Sequence, residues 1–335
     1  MSAYHSPLWA QFYDNWVDRI FDPTVTSEDV GVYLDQLSQV NAMNDCRPGQ
    51  PFVIVEVGSG SGRLVRQLFK HLGKRSTISE FSKSKEPEYI LIGTEPSAPM
   101  LEKARVLWHG FEAGWHEEYH HPESVDVIWG QASAGNFGDY IKKVLSDRPN
   151  SDYGDRPEQE GSGLTKADLI IFAAGGVSHV ARGEEIRQFL SEVSEYLRPT
   201  RGRAIISVLN EFFSPGDHFD SNPALASRFI GSAEQQRIKL SPETAQRIAD
   251  PSTDGKFFVK HPTLEQWDAE FKVRTDKFRV TLENTDGADV DSAELEWQLK
   301  VVNLSEWKEL IKQAGLRILE VIPGDIQSWL VINKL

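Results

Sequence analysis

The stretch Val53-Ile-Val-Glu-Val-Gly-Ser-Gly-Ser-Gly62 constrains this chain more than any other ten residues. An apolar run carries Glu56 near its end, and glycines follow at alternate positions, Gly58, Gly60 and Gly62. Residues 63–69 then place Leu64, Val65, Leu68 and Phe69 on one helical face. A buried strand, a turn that brings backbone close to a ligand, and a helix N-terminus are the parts of a nucleotide site, in the order it needs them. The spacing is G-x-G-x-G. A dinucleotide fingerprint reads G-x-G-x-x-G, and Arg63 stands where its last glycine would be. A nicotinamide oxidoreductase is therefore disfavoured. The plainer alternative is a structural glycine turn with no ligand.

The alternation of strand and helix continues for about 150 residues. Residues 89–94 read as a second buried strand running into Glu95-Pro96-Ser97-Ala-Pro-Met100-Leu101, with a helix starting near Pro99. A carboxylate at the end of a second strand can hold both ribose hydroxyls of a nucleoside. Glu95 lies 33 residues beyond Gly62, more than the ~20 of a compact unit, and a charged loop at 73–88 accounts for the excess. Residues 125–132 form a third strand ending in Gly130-Gln131-Ala132, and 167–179 a fourth whose tip carries Ala173 to His179. A helix over 184–197 and a strand over 204–209 complete a fifth unit. In open parallel sheets ligands collect outside the carboxyl ends of strands, so these tips should face one site. Residues 7–40 read as helices, and the polar, Gly- and Ser-rich segment 146–166 as a mobile surface loop. Beyond Asn210 the alternation stops. Residues 213–254 read as irregular or in part helical, and strand alternation over 267–271, 278–282 and 295–301, divided by a turn-rich 284–291, suggests an antiparallel hairpin. A capped helix from Leu304, stopped by Gly315, precedes two last strands at 316–322 and 328–332.

Motif 53–62, with an acidic residue two places before the first glycine, resembles motif I of the class I S-adenosylmethionine-dependent methyltransferases. Glu95, Ser97 and Met100-Leu101 also match that family's pattern after its second strand. The resemblance covers roughly residues 49–210 and 303–335 and is weakest at 213–300. It implies a doubly wound, Rossmann-like seven-stranded sheet with N-terminal helices and an inserted lid containing the hairpin. The implied division is a helical cap at 1–48, a cofactor-binding domain at 49–212 and 303–335, and a substrate lid at 213–302. The implied cofactor is S-adenosyl-L-methionine, with Glu56 near its methionine part and Gly58, Ser59, Gly60 and Gly62 passing against it. Glu95 would hold the ribose, Pro96, Ser97 and Met100 would also border the cofactor, and Ala173 would face it from the fourth tip. The family often has Gly-Asp-Ala at the third strand. Here Gln131 replaces the carboxylate beside Ala132, and its amide can still accept from an adenine amine. An N-terminal aromatic helix covers the cofactor in many small-molecule members, which brings in Trp9, Phe12, Tyr13 and Trp16, with plain packing as the alternative. The resemblance implies methyl transfer to an O, N or C atom of a small organic molecule. The alternative is a methyltransferase-fold protein that binds the cofactor but works as a cyclase or interaction subunit. His179 is the candidate base, able to take a proton from a substrate hydroxyl or amine, or else a residue that only orders its loop.

Composition narrows the partners. A formal charge of −14 over 335 residues argues against nucleic acid, which needs a basic surface. It suits a neutral or cationic small substrate. The single cysteine, Cys46, excludes an intrachain disulfide. No run approaches the ~20 apolar residues of a membrane helix, and the N-terminus lacks a signal-peptide pattern. The expected location is cytoplasmic, and oligomeric state is not readable. His116-Glu-Glu-Tyr-His120 formally matches the H-E-x-x-H zinc motif. Pro122 and the third strand follow so closely that little more than a turn is expected, and no metal is assigned.

Overall fold

A computed structural model describes residues 3–20, 27–42, 51–76, 89–118, 125–147, 166–174, 176–180, 183–210, 235–240, 255–325 and 327–335. Two helices open the chain, α1 (Pro7–Ile20) and α2 (Ser27–Ala42). The alternating core follows as β1 (Phe52–Val57), α3 (Arg63–Ser76), β2 (Tyr89–Thr94), α4 (Ala98–Glu118), β3 (Val125–Gly130), α5 (Phe137–Ser146), β4 (Leu169–Phe172), α6 (Gly183–Tyr196) and β5 (Arg203–Leu209). Five strands then come in succession: β6 (Gln236–Lys239), β7 (Phe257–Lys260), β8 (Leu264–Asp268), β9 (Val273–Glu283) and β10 (Asp289–Lys300). Helix α7 (Leu304–Gln313), β11 (Leu316–Ile322) and β12 (Gln327–Lys334) close the chain.

The central sheet has seven strands in the order β11-β12-β5-β4-β1-β2-β3. Strands β1 to β5 are parallel, and β12 runs antiparallel to both β5 and β11. Every residue of β1, β2 and β4 is buried, because helices cover both faces of a parallel sheet. On one face α5, α6 and α7 supply Ile141, Phe189, Val193 and Trp307 to the core. On the other, Leu68 of α3 and Trp108 of α4 meet Tyr33 and Leu37 of α2. The chain winds outward from β1 through β2 to β3, then returns to lay β4 and β5 on the opposite side. The strand order thus reverses between β1 and β4, where an open α/β sheet forms its ligand crevice.

The auxiliary sheet is ordered β10-β9-β7-β6, with β8 pairing β9. Strands β9 and β10 form a long antiparallel hairpin from Val273↔Lys300 to Glu283↔Asp289. Side chains at 274, 276, 278, 280 and 282 share one face of β9 by strand alternation. Phe278, Val280 and Leu282 there join Leu295, Trp297, Leu299, Phe258 and Ile238 in an apolar cluster. Helix α1 covers this cluster with Leu8, Trp9 and Phe12. The two N-terminal helices therefore serve different sheets, α2 the central one and α1 the auxiliary one.

Three expectations need correction or limits. The span 213–254 is not wholly irregular: β6 lies within it and pairs with β7 just beyond it. The H-E-x-x-H segment does not sit on a mere turn, since α4 runs through Glu118; His120 lies outside the described residues. Of the loop expected over 73–88, residues 73–76 belong to α3, and of that expected over 146–166, residue 146 ends α5; the remainder at 77–88 and 148–165, and the side chain of Trp16, lie outside the described residues.

Candidate active site

Three left-handed glycines shape the turn after β1: Gly58, Gly60 and Gly62 have φ of 67°, 55° and 78°. Each position carries a steric strain for any L-residue with a side chain. Their surroundings differ. A β-carbon at Gly60 would face Met100 Cε at 3.5 Å and Tyr13 Cε1 at 3.7 Å. At Gly62 it would strike the Trp129 ring at 2.3 Å, and at Gly93 of β2 the same ring at 2.5 Å. Gly62 and Gly93 thus form a notch for an indole, a packing role that the glycine spacing did not reveal. Phe172, the last residue of β4, fits against Gly58 and also against Gly176, closing the space between the two turns at the reversal point.

Backbone hydrogen bonds stagger the strand tips. Ser59 N–H donates to the Thr94 carbonyl at 2.8 Å, and Glu95 N–H to the Gly130 carbonyl at 3.0 Å. The Glu95 carboxylate accepts from Gly60 N–H and from Ser97 N–H, both at 2.9 Å. Ser97 caps α4 by accepting from Met100 N–H at 3.3 Å. Gln131 donates its side-chain amide to the Pro96 carbonyl at 3.2 Å, and Ala132 and Ala173 are buried. Glu56, Gly58, Ser59, Gly60, Glu95, Pro96, Ser97, Met100, Gln131 and Tyr13 are therefore drawn together about one turn.

The electrostatics are those of buried acids. Burial pushes Glu95 up to about 7, against the pull of its two N–H donors. Glu56 rises to about 8, again by burial, with the nearby Arg63 charge opposing. Arg63 is held by Asp29 of α2 at 2.6 Å, so α2 reaches the glycine turn through an ion pair. Glu56 Oε2 and Ser59 Oγ are buried and have no hydrogen-bond partner among the described residues. Such atoms fit a ligand that supplies donors, because a lone buried acceptor is costly.

On the β4 side, Ala174 has a φ of 52°, a strained position of the kind that clusters at functional sites. The 3-10 turn Gly176–His179 follows. The His179 ring packs edge-on against Trp297 of β10, centroids 5.6 Å apart. Burial, and then the Arg274 charge, push His179 down to about 4, so it is neutral near pH 7. Trp297 Nε1 donates to Asp276 Oδ2 at 2.9 Å, and Arg274 Nε pairs with Asp276 Oδ1 at 2.9 Å. This Trp297–Asp276–Arg274 group was not singled out as part of the site, because it lies about 100 residues beyond His179 and only the tertiary fold brings it there. Among the described residues no group of three or more His, Cys, Asp or Glu side chains could hold a metal ion.

The comparisons agree with this geometry. No family model matches the chain. Over 206 residues it is 25% identical to the N-methyltransferase FrzE of Cladobotryum sp., an alignment covering 61% of this chain and 57% of that protein. The chain thus spans less than two thirds of that relative's length. An S-adenosylmethionine-dependent methyltransferase from Clostridium acetobutylicum superposes with a TM-score of 0.53 at 11% identity, covering 96% of this chain and 98% of that one. Streptomyces venezuelae DesVI gives a TM-score of 0.50 at 14% identity, covering 90% and 92%. With the reversal between β1 and β4, the antiparallel β12 between β5 and β11 and the left-handed glycine turn, these likenesses place the chain in the class I S-adenosylmethionine-dependent methyltransferase fold.

Proposed function

We propose that the protein transfers a methyl group from S-adenosyl-L-methionine to an O, N or C atom of a small organic molecule. The carrying observation is the turn after β1, whose Gly60 N–H is tied to Glu95 while Glu56 Oε2 and Ser59 Oγ beside it have no hydrogen-bond partner among the described residues. The residues fit the cofactor. Glu56 has an oxygen for a donor from the methionine end, and Glu95 can still accept from ribose hydroxyls, since a carboxylate offers about four acceptor sites. Gln131 and Ala132 would border the adenine, and Tyr13 and Met100 would cover the turn. The cofactor supplies an already activated methyl on a sulfonium. The chain therefore chiefly aligns partners and excludes water. The auxiliary sheet with α1 is the natural lid. The acidic surface suits a neutral or cationic substrate, and the relative named as an N-methyltransferase supports nitrogen as one acceptor. We infer a cytoplasmic protein that does not act on nucleic acid; among the described residues no helix is long and apolar enough to cross a membrane.

His179 is the candidate base. Neutral at physiological pH, it is free of the ionisation near 6.5 that an exposed histidine shows. Wild-type turnover should thus be flat from roughly pH 6 to 9 as far as this imidazole is concerned. If the accepting atom is a hydroxyl, His179→Ala should lower turnover by roughly 10²–10⁴. An amine already neutral when bound needs no base before it reacts, and the same variant should then turn over at nearly the wild-type rate. Native mass spectrometry of freshly purified protein, followed by titration with S-adenosylmethionine, tests the whole reading. Retained cofactor or demethylated cofactor supports it. Absence of binding to either form would overturn it, and binding without demethylated product for any acceptor would leave a cofactor-binding protein that does not transfer.

A further inference from the structure

Three charged side chains gather behind the glycine turn, one each from β1, α2 and α3. Asp29 of α2 and Glu56 of β1 are both buried. Arg63 opens α3, and its guanidinium turns towards α2. It donates to Asp29 Oδ2 at 2.6 Å, and to Gln67 Oε1, one turn along its own helix, at 3.1 Å. Glu56 accepts from Val65 N–H in the first turn of α3, while its Oε2 has no hydrogen-bond partner among the described residues. The Arg63 charge favours the ionised form of Glu56 through space. Among the described residues two further titratable groups bear on this cluster. Tyr33, one turn beyond Asp29 on α2, accepts from Trp329 Nε1 at 3.3 Å and is kept neutral by burial. Glu95, just past β2, opposes a charge on Glu56 when it is itself ionised.

Two acids thus share one cation in a buried space. Fully ionised, the group holds one net negative charge; with a proton on Glu56 it is neutral, the form that burial favours. The upward shift of Glu56 to about 8 has this origin. The methionine part of S-adenosylmethionine carries an ammonium. An ammonium donating to Glu56 Oε2 brings the positive charge that the proton supplied, so the group stays neutral only if that proton leaves for solvent. Asp29 decides whether the proton is there to be displaced. With Asp29 present, the guanidinium is paired with α2. Without it, Arg63 would stand beside Glu56 as a buried charge lacking its anion, ionise Glu56 and compete for the oxygen that the ammonium needs. We propose that Asp29 is a positioning residue that, by holding Arg63, reserves Glu56 for the cofactor ammonium, which then binds in exchange for one proton. The proposal rests on the cofactor assignment above and adds to it the proton that leaves and a residue outside the glycine turn that governs it.

Full-length protein is titrated calorimetrically at pH 7 with S-adenosylhomocysteine and with methylthioadenosine, which keeps the nucleoside but has neither ammonium nor carboxylate. Each titration is run in phosphate and in imidazole, whose different ionisation heats report the protons released. Any proton that leaves Glu95 as the ribose binds is common to both ligands. The wild type should release about one proton more with S-adenosylhomocysteine than with methylthioadenosine. The ratio of the two affinities should climb as pH rises from about 6 towards 8, by up to about tenfold per unit, because the complex needs Glu56 ionised. Glu56→Gln should abolish both the excess proton and the climb. Asp29→Asn should shrink the excess, since Arg63 then ionises Glu56 beforehand. It should also weaken S-adenosylhomocysteine roughly tenfold, while methylthioadenosine stays within about twofold. Adding Arg63→Met to Asp29→Asn should bring the excess back, a recovery that a merely structural Asp29 would not give. Equal proton counts for the two ligands in the wild type, or an excess untouched by Asp29→Asn, would overturn the proposal and leave the methyltransferase reading standing. If neither ligand binds, that reading falls and takes the proposal with it.

Discussion

Glu56 ionises only against the cost of burial, and that sets a measurable pH dependence. Its carboxyl rises from 4.5 to about 8 in the fold. Between those values the folded chain holds a proton that the unfolded chain has lost, so stability falls as pH rises through that window. Glu56→Gln removes this slope while keeping the shape. Melting temperatures of the ligand-free proteins should be close at pH 5, with the variant clearly more stable at pH 8; Glu95 has the same sign but is common to both. An equal difference at the two pH values would refute the burial argument. Glu95 makes a different prediction. Its two oxygens already order Gly60 and Ser97, so Glu95→Ala should weaken S-adenosylhomocysteine by about 1.5–3 kcal/mol, as for a hydrogen bond to a charged group. Calorimetry with an analogue lacking the ribose hydroxyls separates the roles. If the carboxylate holds the ribose, the variant loses little further affinity for the analogue; if it only orders the turn, wild type and variant discriminate equally.

Elements differ in how plainly the sequence announces them. Strands β1, β2 and β4 are buried on both faces and read as unbroken apolar runs, so the α/β alternation and the glycine turn between β1 and α3 were legible. Helix α7 was legible too: Asn303 and Glu306 form a capping box, and Gly315 ends the helix region at a φ of 72°. Strand β6 was not, being only four residues long, and β8 was legible only in part: the alternation expected over 267–271 meets Leu264–Asp268 at 267–268, and residues 269–272 form a turn instead. The Trp297–Asp276–Arg274 group was hidden for another reason: a charge on the inner face of a strand breaks the apolar pattern, and only the pairing of β9 with β10 supplies its partners. That pairing yields a prediction. Asp276 is fully buried, and its Arg274 partner is only 12% exposed. Asp276→Asn leaves the guanidinium facing a neutral amide and should destabilise the protein by about 3–5 kcal/mol, the range for breaking a buried pair from one side. Replacing both, Asp276→Leu with Arg274→Met, should recover part of that loss, since the buried Trp297 Nε1–H is then left without its acceptor. Chemical denaturation of the two variants decides it, and a single variant as stable as wild type would mean that the pair is solvated.

At the scale of the whole molecule, the two sheets meet through α1. Trp9 is fully buried and packs on aromatic rings from two sides, among them Phe12 and Tyr13 on its own helix and Phe278 and Trp297 on the hairpin, with centroids 5.2–5.9 Å apart. The same helix sets Tyr13 against Gly60, and Trp297 sets the hairpin against His179. One indole therefore joins the cover of the glycine turn to the wall of the β4 tip. Trp9→Ala should cost about 3–5 kcal/mol by cavity formation. Simple cavity loss would reduce stability and leave the affinity of surviving folded protein untouched. A keystone should do more, because Tyr13 loses its support: S-adenosylhomocysteine binding, measured where the variant remains folded, should weaken as well. Trp297→Ala should weaken it less, since that ring reaches the cover through Trp9. The double variant separates transmission from coincidence. If Trp297 acts through Trp9, its effect on cofactor affinity should vanish in the Trp9→Ala background, a non-additivity expected of side chains in contact. Additive losses would mean that the hairpin and the glycine turn are held independently, and that α1 packs against both without coupling them.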